Sequence, residues 1–388
     1  MVSIDRSVAE ACFPSLDTLR WASATEVRRP RPEEVSGIGD ETSAATALRE
    51  VERGRYLLYR GHYANALQLL SAMRRRLSNG ARSQGHERKV TAIDAYRHAR
   101  ELKQREHDLL SRLVVWLSGM AYGPMLEGAP RLGQFGVQVW GPIEDQPILI
   151  PLREWIGARG AREWYRVGVE VPALNARVHP HYGVFAPIRG EYVELVARQA
   201  DAVSVVGRTA FDVGTGTGVL AFVLANRGAL RVEATDADPR AVACAQDNAD
   251  RLGLGAIVGV CEVVPENPFP SGTADILVCN PPWVPVEAPT RLDRSVFDPG
   301  DRFLLRFLDG ISAHLRPGGE AWLVLSDFAE RLGLRPPDFV AKAAERAGLV
   351  IRRRRETHPR HTRASDRDDP LHPLRARETI TLYVLCRP

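Results

Sequence analysis

Little in these 388 residues is extreme, and each shortage removes a class of protein. Cysteine is scarce: Cys12, Cys244, Cys261, Cys279 and Cys386 are scattered, odd in number and mostly set in apolar runs. That usage predicts buried thiols in a reducing compartment and excludes a disulfide framework or a clustered zinc site. An excess of one charge is also missing. Lys plus Arg number 52 against 48 Asp plus Glu, and the formal net charge of +4 neither demands nor excludes a polyanionic partner. No apolar run approaches the ~20 residues that span a bilayer, and the N-terminus shows acidic residues rather than a signal peptide's apolar core. A cytoplasmic protein with no membrane partner is the expectation.

What is present suits a globular chain with ample core, 44% hydrophobic and 26% charged, and long enough for two domains. Residues 1–174 read as a mainly helical domain with a β-containing connector, serving substrate recognition or dimerisation. Leu48, Val51, Arg55 and Leu58 share one helical stripe, and Leu67, Leu70 and Leu77 another. The run 55–67 looks like one tetratricopeptide-type hairpin, with no second copy at a period near 34. A further helix is expected over 87–117. Short β-type runs at 137–140, 148–150 and 167–171 form the connector. From 175 to 388 strands and helices alternate, with strands at 210–213, 231–235, 276–279, 321–326, 349–353 and 380–385. This pattern predicts an α/β, Rossmann-like, mostly parallel sheet whose last two strands make an antiparallel edge.

Two motifs stand at strand ends in that second part. Phe211-Asp212-Val213-Gly214-Thr215-Gly216-Thr217-Gly218 is a strand followed by a glycine turn, where Gly214, Gly216 and Gly218 let backbone approach a ligand. The spacing departs from the dinucleotide fingerprint, because Val219 stands where that pattern needs its third small residue. Asp236 ends the next strand, where a carboxylate accepts hydrogen bonds from both hydroxyls of a ribose. Asp238 reads as the cap of the helix starting near Pro239. Glu262 and Glu266 compete for an adenine contact. The second motif, Asn280-Pro281-Pro282-Trp283, follows the apolar strand 274–279. A turn with an inward-packed tryptophan is the bland reading. The chemical reading is a crevice for a flat, nitrogen-bearing group.

The tetrapeptide matches the (N/D/S)-P-P-(Y/F/W) motif of amino-methyltransferases. From 179 to 388 the chain resembles class I methyltransferases of the release-factor and ribosomal-protein glutamine subgroup. The resemblance implies S-adenosyl-L-methionine as donor, with the loop at Gly214, Gly216 and Gly218 under its methionine part and Asp212 orienting the amino group. Tyr182 and Pro187 fall in the segment that folds over the cofactor in that subgroup, and 295–300 in its loop after the catalytic motif. A delocalised nitrogen is a poor nucleophile. The Asn280 side-chain oxygen and the Pro281 carbonyl would hold its hydrogens and turn its lone pair toward the methyl group. Pro282 stiffens the loop, and Trp283 offers a face for stacking and cation–π attraction of roughly 0.5–2 kcal/mol. Holding the reacting atoms about 3–3.5 Å apart supplies most of the acceleration. The acceptor is expected to be a protein glutamine or a small amide or guanidino compound, with nucleic acid less favoured. Trp283 in place of the subgroup's usual tyrosine, and the longer N-terminal part, separate this chain from those enzymes. A non-catalytic scaffold binding S-adenosyl-L-methionine and acting through its helical domain is the alternative.

Other clusters read more plainly. Arg352 to Arg355, with Arg360, Arg363 and Arg367, lie among Asp366, Asp368 and Asp369 and predict a solvated face with local ion pairs. His358, His361 and His372 match no standard metal spacing, and no metal is expected. Arg74 to Arg76 and the stretch from Glu101 to Glu106 read as solvent-facing helix surfaces.

Overall fold

A computed structural model describes residues 19–82, 91–119, 121–143, 146–360 and 371–388. The chain divides into two compact units: Met1–Lys89 with His98–Arg162, and Val90–Arg97 with Glu163–Pro388. Among the described residues, no helix is long and apolar enough to cross a membrane.

The first unit has the expected helices, yet they accompany a sheet that the sequence reading missed. Its strands are β1 (Arg20–Trp21), β2 (Val35–Ile38), β3 (Tyr56–Tyr59), β4 (Leu113–Leu117) and β5 (Ile148–Pro151), ordered β1-β5-β4-β3-β2. Neighbours β2, β3 and β4 run parallel, while β5 is antiparallel to β4. The helices are α1 (Ala44–Glu52), α2 (Tyr63–Arg82), α3 (Ala92–Leu110), α4 (Gln134–Trp140) and α5 (Leu152–Val167), with α3 up to Arg97 and α5 from Glu163 counted in the second unit. The tetratricopeptide-type reading is therefore corrected, because the four residues before its turn are a fully buried strand, β3. The expected helix over 87–117 stops at Leu110, and its apolar tail becomes β4. Conversely, 137–140 is the end of α4, although valine and tryptophan favour strands.

The unit boundary falls at Arg162, ahead of the expected 174. The hairpin β6 (Val169–Val171) and β7 (Ala176–Val178) explains this, since Val171, Leu174 and Val178 join the second unit's core. That unit is built on β8 (Thr209–Val213), β9 (Arg231–Asp236), β10 (Val258–Glu262), β11 (Ala274–Cys279), β12 (Leu315–Ser326), β13 (Val350–Thr357) and β14 (Ile380–Cys386). Their order is β10-β9-β8-β11-β12-β14-β13, parallel through β12 and antiparallel at β14 and β13, as expected.

Alternate residues of one strand serve two cores, which is why β11 reads as an unbroken apolar run. Ile276 and Val278 pack beneath α6 (Gly190–Val203) and α7 (Val219–Asn226). Leu277 and Cys279 pack beneath α9 (Arg302–His314) and α11 (Phe339–Arg346). Between these lie α8 (Pro239–Arg251), after β9, and α10 (Phe328–Arg331), after β12; α12 (His372–Arg375) precedes β14. Chain order reverses between β8 and β11, and in open α/β sheets ligands bind at such a switch point.

Candidate active site

Register brings the two motifs together. Val213 pairs with Cys279 on one side and with Thr235 on the other, so Asn280, Gly214 and Asp236 begin where three adjacent strands end. Adjacent strands lie ~4.8 Å apart, so a ligand of nucleoside size spans all three.

The glycine turn needs its glycines. Gly214, Gly216 and Gly218 have φ of 76°, 56° and 86°, in the left-handed region that a Cβ disfavours. A Cβ on Gly218 would come 2.3 Å from the Phe222 ring, and one on Gly214 2.9 Å from Phe303. At Gly216 a Cβ would meet nothing within 4 Å, so the turn is open there. Asp212 is buried, and its Oδ2 accepts from Thr215 Oγ1 at 2.6 Å and from the Ala221 N–H at 3.0 Å. Burial pushes its carboxyl up to about 7 against the pull of those donors. The side chain thus closes the turn onto α7, a task the sequence reading had not given it.

Asp236 takes one backbone N–H on each oxygen, from Gly216 at 3.0 Å and from Asp238 at 2.9 Å. A carboxylate has about four lone-pair sites, so two remain for a pair of hydroxyls. Burial raises its pKa, and the two N–H donors oppose the rise. Asp238 caps α8, accepting from the Arg240 N–H at 3.0 Å. Glu262 and Glu266 are both exposed, and Glu266 lies 4.0 Å from Arg306.

The segment with Tyr182 and Pro187 threads between α8 and the turn Arg291–Asp293. A Cβ on Gly183 would meet Leu292 at 2.5 Å and Arg240 at 2.7 Å. Pro187 is buried and Tyr182 half-buried. Asn248, fully buried on α8, anchors the segment: its Oδ1 accepts from the His179 N–H at 2.7 Å, and its Nδ2 donates to His179 O at 3.1 Å and Thr217 O at 3.4 Å. His181 adds a contact to Asp247 at 3.2 Å, and burial pushes its imidazole pKa down. Asn248 was missed, although one polar residue on the face of Cys244, Ala245 and Ala249 was a legible signal.

At the acceptor side, Pro281 is buried and Asn280, Pro282 and Trp283 are half-buried. Trp283 Nε1 donates to Asn280 Oδ1 at 2.9 Å. The Arg189 guanidinium carbon lies 5.4 Å from the Trp283 ring centroid, so the expected stacking face carries a side chain of the protein itself. Arg189 in turn faces the buried Glu378 through two contacts of 3.3 and 3.4 Å. The loop 295–300 grips the motif from beyond: Val284 pairs with Phe297, and Asp298 N–H donates to Val284 O at 2.9 Å. Asp298 also caps α9, accepting from Phe303 and Leu304 N–H, and that holds the Phe303 ring against Gly214.

Of the arginine run, Arg352 reaches Glu320 at 3.6 Å, Arg355 donates to Gln199 at 2.9 Å, and Arg360 pairs with Glu194 at 2.6 Å. His358 bonds Glu378 O, so its nearest partner is structural. Cys12, His361, Arg363, Asp366, Arg367, Asp368 and Asp369 lie outside the described residues.

A doubly wound sheet with a glycine turn, a ribose-competent carboxylate and an Asn-Pro-Pro-Trp corner at its switch point defines a class I methyltransferase domain. Residues 177–333 match the methyltransferase small domain family. The chain is 38% identical over 125 residues to a release factor glutamine methyltransferase of Moorella thermoacetica, covering 29% of this chain and 43% of that one. It is 25% identical over 164 residues to a putative protein N5-glutamine methyltransferase of Methanocaldococcus jannaschii (41% and 79%). It is 29% identical over 163 residues to a tRNA1(Val) (adenine(37)-N6)-methyltransferase of Cytophaga hutchinsonii (40% and 64%). The chain thus spans less than half of the first relative's length. S-adenosyl-L-methionine is the methyl donor of class I methyltransferases, and the turn and Asp236 fit such a nucleoside.

Proposed function

We propose that this protein transfers a methyl group from S-adenosyl-L-methionine to a planar nitrogen held at Asn280 and Pro281. The observation that carries the reading is the Val213–Cys279 register, which sets Asn280 beside the glycine turn. When bound, the donor supplies a sulfonium methyl, whose C–S bond breaks as the nitrogen lone pair forms the new N–C bond. Asn280 Oδ1 keeps one lone pair free of Trp283 to accept an acceptor N–H, and the Pro281 carbonyl is the second acceptor. The methylated nitrogen then loses its proton to solvent. Asp236 binds the ribose, and Tyr182 and Pro187 cover it. Asp212 supports the turn beneath the methionine part.

Arg189 over Trp283 leaves that face without room for a stacked base and favours a narrower amide or guanidino acceptor. A protein glutamine is the leading candidate, and the first unit serves to recognise the protein that bears it. Incubation with methyl-labelled donor, followed by separation of protein, RNA and metabolites, tests this reading. Label is expected in protein or in small amides. Label in RNA alone would overturn the acceptor assignment, and no label anywhere would favour a binding scaffold.

A further inference from the structure

Asn280 sits at the end of a chain of contacts that starts in the sheet and that the motif does not contain. Glu378, just before β14, is buried at 1% exposure. Its Oε1 accepts from Ser326 Oγ, the last residue of β12, at 2.7 Å. The same carboxylate faces both terminal nitrogens of Arg189, at 3.3 and 3.4 Å, and the Arg189 guanidinium covers the Trp283 ring at 5.4 Å. Trp283 Nε1–H meets the Asn280 side chain at 2.9 Å.

An indole N–H only donates, so the amide atom it faces must be the oxygen. Without that donor the Asn280 amide is free to turn by a half-rotation and present its NH2 to the acceptor, which would repel an incoming N–H. From this geometry we infer that Trp283 is a positioning residue, whose N–H fixes which end of the Asn280 amide meets the acceptor. Arg189 and Glu378 are the clamp that holds the indole in place. A carboxylate buried this deeply requires its cation, so the pair defines one arrangement of the ring. Tyrosine or phenylalanine at this position keeps an aromatic face and loses the donor at this location. The inference rests on the proposed reaction for its purpose, and its test does not require turnover.

The test is the indole 1H–15N resonance of Trp283 in the full chain, identified as the signal lost in Trp283→Phe. In Asn280→Ala that resonance is expected to move upfield, with hydrogen exchange roughly five-fold faster, the ratio for one lost hydrogen bond. Arg189→Ala and Glu378→Gln should move it in the same direction, and Arg189→Lys less. Ser326→Ala provides a milder perturbation of the clamp should Glu378→Gln not fold. An unmoved resonance in Asn280→Ala overturns the hydrogen bond. A resonance moved by Asn280→Ala and by neither Arg189→Ala nor the Glu378 and Ser326 variants overturns the clamp. Once an acceptor is in hand, Trp283→Phe should lower kcat at least ten-fold with little change in donor affinity. If label reaches no fraction while the resonance behaves as described, the reaction assignment fails and the positioning chain stands.

Discussion

Burial pushes the Asp212 carboxyl up to about 7, so this side chain changes charge near neutral pH. Its folded pKa lies above the ordinary 3.8, which means that the folded state holds the proton more tightly. The stability tied to this group is therefore full below about pH 4 and is lost as pH rises through about 7. Asp212→Asn keeps a carbonyl oxygen for Thr215 and Ala221 and removes the buried charge. In the donor-free protein it should melt above wild type at pH 8, with the gap closing toward pH 5; melting curves that stay parallel over that range would contradict the assignment. One pH unit inside the window is worth about 1.4 kcal/mol. Asp236 is proposed to act on the ligand instead. Removing two charge-assisted hydrogen bonds of about 1.5 kcal/mol each should weaken donor binding roughly 100-fold in Asp236→Ala. Calorimetric titration with S-adenosylhomocysteine measures this, and unchanged affinity would move the ribose contact elsewhere. At this scale the motif residues were legible because turn and strand end are local. Arg189 and Glu378 were not, since they lie far apart in sequence and meet only across the folded sheet.

Among elements, the turn from β8 to α7 is set by backbone conformation. Gly218→Ala would place a Cβ at φ 86° and 2.3 Å from Phe222, costing about 1–3 kcal/mol. Thermal melting should fall by about 3–10 °C, and an unshifted transition would contradict this backbone account. A second constraint lies behind the acceptor loop, where buried Arg335 donates from Nε to Asp301 at 2.9 Å. Asp301→Ala strands that guanidinium and should cost about 3–5 kcal/mol in denaturant unfolding, whereas a loss near zero would mean that water already reaches it. Six of the seven strands of the second unit's main sheet were legible, the buried parallel ones because they are largely apolar runs, whereas β10 was not read from the sequence. Of those in the first unit, only β5 was read, as the run 148–150. Four residues such as Tyr56–Tyr59 also fit a helical stripe continuing from Leu48 and Val51, and periodicity does not separate the two at that length. The arginine-rich strand β13 is the sheet edge, where charge discourages pairing with another chain.

At the scale of the molecule, the residues proposed to bind donor and acceptor belong to the second unit. Donor at 100 times its dissociation constant should therefore add about 2.7 kcal/mol to the unfolding of that unit. The first unit should gain nothing directly, and scanning calorimetry with and without donor shows whether one transition or all of them move. The division into two units was legible from length and from the change of pattern. The run 167–171 was legible as β structure, but the pairing of the first unit's strands, and the hairpin's place in the second core, come from contacts between distant residues that leave no local signal. Asn280 carries the central claim. Asn280→Ala should bind S-adenosylhomocysteine within about two-fold of wild type and lose methyl transfer to the labelled fraction by at least 1,000-fold, the scale for removing a group that orients the reacting atoms. An Asn280→Ala protein that transfers label at the wild-type rate would contradict the account.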